Sequence, residues 1–394
     1  MDCCEMHVVK GQALTDFRNM RTVLTIVGAR PQFIKSRAFS NAVALRGSDL
    51  GLREVLLHTG QHYDEAMSGQ FFSELGLRAP DVQLEVAAGA HGLRTGRMIE
   101  GIERELLKRK PDAVLVYGDT DSTLAGALAA AKLNIPVAHV EAGLRSGDRT
   151  MPEEVNRILT DHAATWCYTT GPGATAQLAS EGIAGEAVVE AGDVMFDVAL
   201  AAEQMAADQR PLEGLLPAGQ GALVVMTLHR PFNADYPERM AAIFKDLASV
   251  ARSEDWRVLF PIHPRTANNL ERAWGANWMG QIPKEITVVP PMGYLDLQTA
   301  LRAADLVFTD SGGLQKEAFF TRTPSVVMRP STEWTELVDC GAAVLCAEPG
   351  EGLQKALTAQ MGQAVGDVAL YGGGSAGRCI AEHLSRALQI SKPG

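Results

Sequence analysis

The chain has 394 residues, 46% of them hydrophobic and 21% charged, values typical of a globular protein of about two or three domains. Its formal net charge of −11 argues against non-specific binding to nucleic acid or to anionic membranes. The six cysteines form no CxxC pair and no apolar run approaches the roughly 18 residues of a membrane span, so we expect a cytoplasmic protein without disulfides.

Residues 1–20 mix charged and apolar side chains without a signal-peptide core, and we expect them to form an extension outside the folded domains. From Arg21 onward, short apolar runs alternate with amphipathic stretches such as 122–132 and 153–162. This pattern predicts a parallel sheet covered by helices on both faces, which we assign to a Rossmann-like domain over residues 21–200. The predicted strands are 22–27, 53–58, 113–117, 136–140, 166–169 and 186–189.

Residues 201–221 carry no strand pattern and are interpreted as the junction between two domains. A second alternating series follows, and it predicts another Rossmann-like domain over residues 222–372, with a C-terminal helix within 373–394. Two doubly wound α/β domains with parallel sheets would enclose a ligand cleft between the carboxyl ends of their strands. The predicted strands of this series are 222–227, 257–261, 286–289, 306–309, 325–328 and 342–345.

The segment Thr309–Glu317, TDSGGLQKE, joins a predicted strand to a helix that we expect to begin near Leu314. Gly312 and Gly313 would let a ligand approach the backbone, and the helix N-terminus would favour a phosphate. Glu317, expected in the first helical turn, could accept hydrogen bonds from ribose hydroxyls. The alternative is a tight turn in which Ser311 is the N-cap and Glu317 has a capping role.

Arg30 follows the first strand in the sequence Gly28-Ala29-Arg30-Pro31, where Pro31 suits the first turn of a helix. An arginine at the carboxyl end of a strand can bind phosphate through two parallel hydrogen bonds. A surface arginine at a helix start is the alternative.

Carboxylates follow two successive strands, with Asp119 after the third and Glu141 after the fourth, and Glu153 and Glu154 open the next helix. Carboxylates gathered in a cleft can act as general acid and base. Capping and compensation of the helix dipole are the alternatives for Asp119, Glu153 and Glu154, whereas Glu141 has no capping role to explain it.

Histidines also follow strands, His229 at the start of the second domain and His263 one strand later, each with an arginine beside it. Both would face the same cleft. His58 and His62 lie close together, yet no acidic or cysteine partner completes a metal set, so the sequence predicts no metal site.

Two motifs are rejected on their context. Residues 372–377, GGGSAG, match GxGxxG formally but leave no room for a βαβ unit, so they predict a helix-entry loop. The sequence contains neither a GxxxxGK[ST] phosphate loop nor a GxSxG nucleophile elbow.

Several ordered blocks of the sequence, from about Arg21 to the end, resemble the non-hydrolysing UDP-N-acetylglucosamine 2-epimerases. The blocks are residues 27–35, 58–62, 118–120, 139–145, 152–157, 227–230 and 309–317. The resemblance implies the two-domain fold called GT-B, with the active site between the domains and no metal or redox cofactor. It also implies a reaction in which a base removes the C2 proton, UDP leaves anti from C1 to give a 2-acetamidoglycal, and UDP adds back to give the C2 epimer.

By this resemblance four residues fall on catalytic positions: Asp119, Glu141, Glu153 and His229. The base that takes the C2 proton is not assigned among them. A second set falls on positions that bind UDP or substrate: Arg30, Lys35, His263, Ser311, Gly312, Gly313, Glu317 and Arg329. The resemblance further implies a homodimer that acts on a UDP-sugar for the synthesis of surface polysaccharide precursors.

The chain departs from the commoner family pattern at three places: Gln32 replaces Glu, Phe232 follows the His-Arg-Pro segment, and Trp334 replaces the usual residue after Thr332-Glu333. Gln32 and Trp334 are more similar to a subgroup acting on UDP-2,3-diacetamido-2,3-dideoxyglucuronic acid. Loss of a negative charge near Arg30 would ease binding of a sugar that carries a carboxylate.

Three other functions fit parts of the same pattern: a GT-B glycosyltransferase, a hydrolysing 2-epimerase, and a UDP-sugar-binding protein without catalysis. The glycosyltransferase would need an acceptor site, for which the sequence gives no sign. The carboxylates at 119, 141 and 153 favour the epimerase.

Overall fold

The computed structural model describes residues 20–61, 78–86, 89–209, 214, 216–366 and 368–390. The predicted extension falls almost entirely outside this range. The described residues fold around two sheets in which every strand pair is parallel. This confirms the prediction of two covered parallel sheets.

The first sheet has the strand order β3-β2-β1-β4-β5-β6-β7 among the described residues. Its strands are β1 Arg21–Val27, β2 Leu52–His58, β3 Val82–Gln83, β4 Ala113–Tyr117, β5 Val137–Ala142, β6 Trp166–Thr169 and β7 Val188–Glu190. The accompanying helices are α1 Arg30–Leu50, α2 His91–Arg109, α3 Asp121–Lys132, α4 Pro152–Ala163, α5 Pro172–Ser180 and α6 Val194–Gln209.

The second sheet has the order β10-β9-β8-β11-β12-β13. Its strands are β8 Leu223–Thr227, β9 Arg257–Pro261, β10 Ile286–Val289, β11 Leu306–Thr309, β12 Ser325–Val327 and β13 Ala343–Leu345. Its helices are α7 Pro231–Ala234, α8 Pro237–Ser253, α9 Pro264–Trp274, α10 Tyr294–Ala303, α11 Gly312–Phe320, α12 Thr335–Asp339 and α13 Glu351–Gln360, and the C-terminal helix α14 spans Ala376–Ile390. Short 3-10 turns lie at Gly185–Ala187, Trp278–Gln281 and Val368–Gly374.

Strand order reverses direction between β1 and β4 in the first sheet and between β8 and β11 in the second. Ligands of open parallel sheets bind at such switch points, beyond the carboxyl ends of the strands. The segments that leave these four strands begin at Gly28, Gly118, Leu228 and Asp310. They include Arg30, Asp119, His229 and Ser311 among the sequence-predicted positions, whereas Glu141, Glu153, His263 and Arg329 lie at the ends of other strands or the starts of the helices that follow them.

Helix α6 crosses from the first sheet to the second, and its packing joins the two domains. Phe196 of α6 stacks on Phe320 of α11 with ring centroids 4.7 Å apart, and both side chains are buried. One hydrophobic cluster includes Val23 of the first sheet and Val327 of the second. The segment interpreted as a junction is therefore, up to Gln209, part of a packed helix.

Helix α14 follows the second domain in sequence but packs on the first. Ser385 donates a hydrogen bond to the carbonyl of Leu50 at 2.6 Å, and the phenol of Tyr168 lies 2.8 Å from Nδ1 of His383. Ala376 and Gly377 donate their backbone N–H groups to the carboxylate of Asp197. The segment 372–377 is thus a helix-entry loop, as predicted, and Asp197 occupies the anion position at its helix N-terminus.

Candidate functional site

Glu141 is the last residue but one of β5, and its backbone is unusual. Its φ is +68°, and the pairing between β5 and β6 shifts between Val140 and Ala142, so that Glu141 is the extra residue of a bulge. A left-handed conformation at a non-glycine residue costs about 1–2 kcal/mol and re-aims the side chain. Such strain concentrates at functional positions.

The bulge is braced from behind by Asp161. Its Oδ1 lies 2.7 Å from Nδ1 of the fully buried His139, and its Oδ2 accepts the backbone N–H of Gly143 at 3.2 Å. The other ring nitrogen of His139 lies 2.8 Å from the carbonyl oxygen of Gly118. These bonds fix the backbone on both sides of Glu141.

The Glu141 carboxylate is buried and faces lysines from both domains. Lys35 of α1 forms a short ion pair with Oε2, and Nζ of Lys316 of α11 lies 3.5 Å from Oε1. Burial alone would raise the pKa of Glu141, but the charges of Lys35, Lys316 and Arg157 lower it to about 2. Glu141 is therefore an ionised carboxylate at neutral pH, as a general base must be.

Sequence reasoning missed Lys316 and its partner Asp193. The ammonium lies 2.5 Å from Oδ2 of Asp193 and 4.0 Å from the ring centroid of Trp334. Burial would lower the pKa of Lys316, and the carboxylates of Asp193 and Glu141 raise it instead. One signal was present: Asp193 follows the carboxyl end of β7, as Asp119 follows that of β4, and Glu141 stands at the carboxyl end of β5.

Asp119 and Glu141 interact with the same cation, Arg157. Arg157 of α4 forms a short ion pair with Oδ2 of Asp119 and is also one of the charges that lower the pKa of Glu141. Asn156 donates to the backbone carbonyl of Asp119 at 2.9 Å. The geometry thus joins two of the four sequence-predicted catalytic residues.

Glu153 and Glu154 differ in their surroundings. Glu154 is buried and accepts the N–H groups of Ser146 and Gly147 at 2.8 and 3.0 Å, so it holds the preceding loop. Glu153 is exposed and forms no ion pair within the described part of the chain. Its predicted catalytic role stays a prediction.

His229 and His263 lie at the ends of the neighbouring strands β8 and β9 and stack on each other, 5.1 Å between centroids. Burial lowers the pKa of both imidazoles, and the guanidinium of Arg265 adds to the effect. Nδ1 of His263 accepts the backbone N–H of Arg265 at 3.1 Å, so any ring hydrogen is on Nε2. Both rings are therefore neutral hydrogen-bonding groups near pH 7.

Asp310, another residue that sequence reasoning did not single out, organises this end of the second sheet. Its fully buried carboxylate accepts the backbone N–H groups of His229 and Arg230, at 2.9 and 3.0 Å, and the side-chain amide of Asn233 at 3.0 Å. The loop that carries His229 is thereby fixed to the loop that carries Ser311.

Helix α11 begins at Gly312, two residues earlier than expected. Ser311 is its N-cap, with Oγ 3.4 Å from the N–H of Leu314. Glu317 therefore lies in the second turn, and both its expected first-turn position and the alternative capping role are wrong. Its carboxylate instead accepts the side-chain amide of Gln298 at 3.1 Å. A carboxylate on the second turn can still reach a ribose held above the helix N-terminus.

The two glycines of α11 have different surroundings. A Cβ at Gly312 would collide with Oε1 of Glu333, whereas one at Gly313 would meet no atom within 4 Å. Glu333 is paired with Arg329 at 2.9 Å, so Arg329 lies next to this helix start, and its predicted binding role stays a prediction. Gly313 leaves the open space that a phosphate above the helix N-terminus requires.

The start of α1 is tightly packed at the first switch point. A Cβ at Gly28 would collide with the hydroxyls of Ser122 and Thr59. Arg30 is the first residue of α1, and its side chain lies outside the described atoms. Its predicted contact with phosphate therefore stays a prediction.

Gln32 makes four hydrogen bonds and is buried. Oε1 accepts the N–H groups of Gly28 and Ala29 at 2.8 and 3.1 Å, and Nε2 donates to the carbonyl of Tyr117 and to Oγ1 of Thr123, both at 2.8 Å. The amide links the ends of β1 and β4. Its identity is thus explained by this network, without reference to the charge of a ligand.

Within the described part of the chain, no three His, Cys, Asp or Glu residues are grouped as a metal site would require. His62 lies outside that part, and burial lowers the pKa of His58 to about 4. No described helix is long and apolar enough to cross a membrane.

A family model described as UDP-N-acetylglucosamine 2-epimerase matches residues 45–385. The UDP-2,3-diacetamido-2,3-dideoxy-D-glucuronate 2-epimerase of Pseudomonas aeruginosa is 45% identical over 92% of this chain and 99% of its own. The crystal structure of Methanocaldococcus jannaschii UDP-GlcNAc 2-epimerase in complex with UDP-GlcNAc and UDP has a TM-score of 0.81 at 36% identity, covering 94% of this chain and all of that one. The UDP-GlcNAc 2-epimerase from Neisseria meningitidis bound to UDP-GlcNAc has the same TM-score at 26% identity, covering 93% and 100% of the two chains.

These similarities run across both sheets. They confirm the GT-B type of fold and exclude a likeness restricted to one Rossmann-like domain. The chain belongs to the UDP-N-acetylglucosamine 2-epimerase family and is an isomerase.

Proposed function

We propose that this enzyme inverts C2 of a UDP-linked 2-acetamido sugar by anti elimination and re-addition of UDP. The observation that carries the proposal is Glu141: a buried, strained and ionised carboxylate held between Lys35 and Lys316. An ionised carboxylate can accept a proton, and the cations beside it can stabilise the anion that departs.

In the proposed reaction the C2–H bond breaks first or together with the C1–O bond, and the proton passes to an enzyme base. The electron pair forms the C1–C2 double bond of a 2-acetamidoglycal while UDP leaves with the electrons of the C1–O bond. Reprotonation of C2 on the opposite face and return of UDP to C1 complete the inversion. The reaction consumes no external reductant, oxidant or water.

We assign the acid and base roles to Asp119, Glu141, Glu153 and His229. Asp119 and Glu141 share Arg157, which supports a joint role of these two carboxylates. His229 stands at the end of the other sheet, where a neutral imidazole can exchange a proton with the sugar or with UDP.

The UDP part is assigned to the loops around the second sheet and to the start of α1. The open space at Gly313 and the N-cap at Ser311 support a diphosphate at the start of α11. The residues assigned to UDP or substrate are Arg30, Lys35, His263, Ser311, Gly312, Gly313, Glu317 and Arg329.

Among possible sugars, we propose UDP-2,3-diacetamido-2,3-dideoxyglucuronic acid as the preferred substrate and UDP-GlcNAc as the alternative. The relative named for the first sugar is 45% identical, against 36% for the Methanocaldococcus jannaschii enzyme named for the second. Arg230 supports an additional anion: it lies beside Gly312 and forms no ion pair with a described residue. We further propose that the protein is a cytoplasmic homodimer. Light scattering of the purified protein measures its molar mass and so tests the dimer directly.

The deciding experiment incubates the protein in D2O with each UDP-sugar separately and follows proton NMR spectra. Loss of the C2 proton signal with appearance of the manno epimer is the expected result, and the faster sample identifies the sugar. No exchange in either sample, with UDP-sugar binding intact, would contradict the proposal and favour a GT-B glycosyltransferase.

A further inference from the structure

Four charged side chains form a chain of ion pairs at the junction of the two domains. Glu141 contacts Lys35 and Lys316, and Lys316 also contacts Asp193. Two positive charges thus balance two negative ones. Only Lys316 comes from the second domain, whereas the other three belong to the first.

Lys316 is held in place on every side. The residue is 3% exposed, its ammonium lies 4.0 Å above the ring of Trp334, and the indole N–H of Trp334 donates to the carbonyl of Gly312 at 3.0 Å. Burying an ammonium is costly unless it is paired, and here two carboxylates and an aromatic face provide the pairing. Trp334, one of the departures from the commoner family pattern, therefore supports Lys316.

Within the described part of the chain, Lys316 is the cation of the second domain that forms an ion pair with Glu141. The charges that lower its pKa come from Lys35 on α1, Lys316 on α11 and Arg157 on α4. Asp193 faces Lys316. Its charge also helps to raise the pKa of Asp197, Tyr294 and Tyr371. Lys316 is thus the link through which the second domain acts on the carboxylate.

We propose that Lys316 is a positioning residue for catalysis: its ammonium joins Glu141 to Asp193 across the domain junction and offsets their negative charge, so that the base is complete only when both domains contribute. The inference rests on the proposed function, in which Glu141 acts as a base. Lys316 acts through Glu141 and need not touch the sugar.

The charge count makes a specific prediction. Lys316→Met leaves two buried carboxylates beside one lysine, so one of them takes up a proton at a pH where neither does in the wild type. Asp193→Asn leaves one carboxylate with two lysines, and the double variant leaves one with one. Only Lys316→Met has an excess of negative charge.

The experiment measures kcat for C2 exchange in the wild type, the two single variants and the double variant, between about pH 5 and about pH 8. Each variant is expressed as a ratio to the wild type, so that titrations common to both cancel. We expect the Lys316→Met ratio to fall about ten-fold from the upper to the lower pH, and the other two ratios to stay flat. Lys316→Arg should restore a flat ratio, and the exposed Lys355→Met serves as a control for loss of a lysine.

A Lys316→Met ratio that does not vary with pH, or one that falls equally in the double variant, would show a packing role only and overturn the inference. If the wild type itself shows no exchange, the proposed function fails instead. The charge relation is then tested by unfolding in urea: Lys316→Met should be least destabilised at low pH, and a pH-independent loss would overturn it.

Discussion

The imidazole rings of His229 and His263 stack with their centroids 5.1 Å apart and their planes 28° from parallel. Each ring follows a strand of the second sheet, and the pKa of each is lowered, chiefly by burial. A positive charge on one ring disfavours a positive charge on the other. An anion bound beside the rings would act in the opposite direction and raise the pKa of both imidazoles.

We expect UDP binding near pH 6 to take up protons, up to about one per UDP, because the diphosphate raises the lowered pKa of the histidine rings. The uptake should vanish at a pH above the raised pKa of the bound state, where the rings stay neutral with and without UDP. Calorimetric titrations in two buffers of different ionisation enthalpy measure it. Uptake that persists unchanged in both His229→Asn and His263→Asn would place the titrating group elsewhere.

Replacement of Glu141 by Gln should lower the rate of C2 exchange by about 10²- to 10⁴-fold, because the amide cannot accept the proton. UDP binding should survive, since most of the residues assigned to UDP or substrate lie in the second domain. Proton NMR in D2O and calorimetry measure the two effects. The exposed Glu238→Gln on α8 is the matched control and should exchange at the wild-type rate; equal rates for Glu141→Gln would remove this residue from the mechanism.

The backbone at Glu141 gives a stability prediction that is independent of catalysis. At φ +68° glycine is less strained than alanine, so Glu141→Gly should be more stable to unfolding than Glu141→Ala by about 1 kcal/mol. The exposed helical position Ala241 provides the opposite case, where Ala241→Gly should destabilise by about 1 kcal/mol. Urea denaturation compares the four proteins. If Glu141→Ala were instead more stable than Glu141→Gly, the bulge would have relaxed on loss of its carboxylate.

Gln32→Glu should destabilise the chain by about 1–3 kcal/mol at neutral pH, because a carboxylate cannot donate to the carbonyl of Tyr117 or to Thr123. The introduced group would have a raised pKa in the folded state. The loss should therefore shrink as the pH falls through that pKa, since the protonated acid can donate again. Unfolding curves at several pH values test the sign, with the exposed Gln363→Glu as control; a loss that grows at low pH would contradict the expectation.

Much of the fold could be predicted from the sequence because buried parallel strands are continuous apolar runs. The strands at 113–117, 166–169, 257–261, 286–289 and 306–309 have the predicted bounds, as does the C-terminal helix. The edge strand Val82–Gln83 was missed because two residues carry no periodicity. Its pairing with β2 is decided by the neighbouring strand.

The site was predictable where it follows strand ends and less so where it depends on contacts distant in sequence. The rule that placed Asp119 and Glu141 at one sheet edge is local, and the structure agrees with it. The bulge at Glu141 depends on the register of β6, and the pairing of Lys316 with Asp193 joins residues from different domains. Neither relationship leaves a periodic pattern in the sequence.

The return of helix α14 to the first domain means that the chain passes between the domains twice, once through α6 and once before Ala376. Two domains connected at two points rotate most freely about the axis that passes through both connections. We therefore expect the domains to open for substrate by rotation about the axis that passes through the two connections. Shortening the chain before α14 would disrupt one of the two connections, and the domains would then also rotate about other axes.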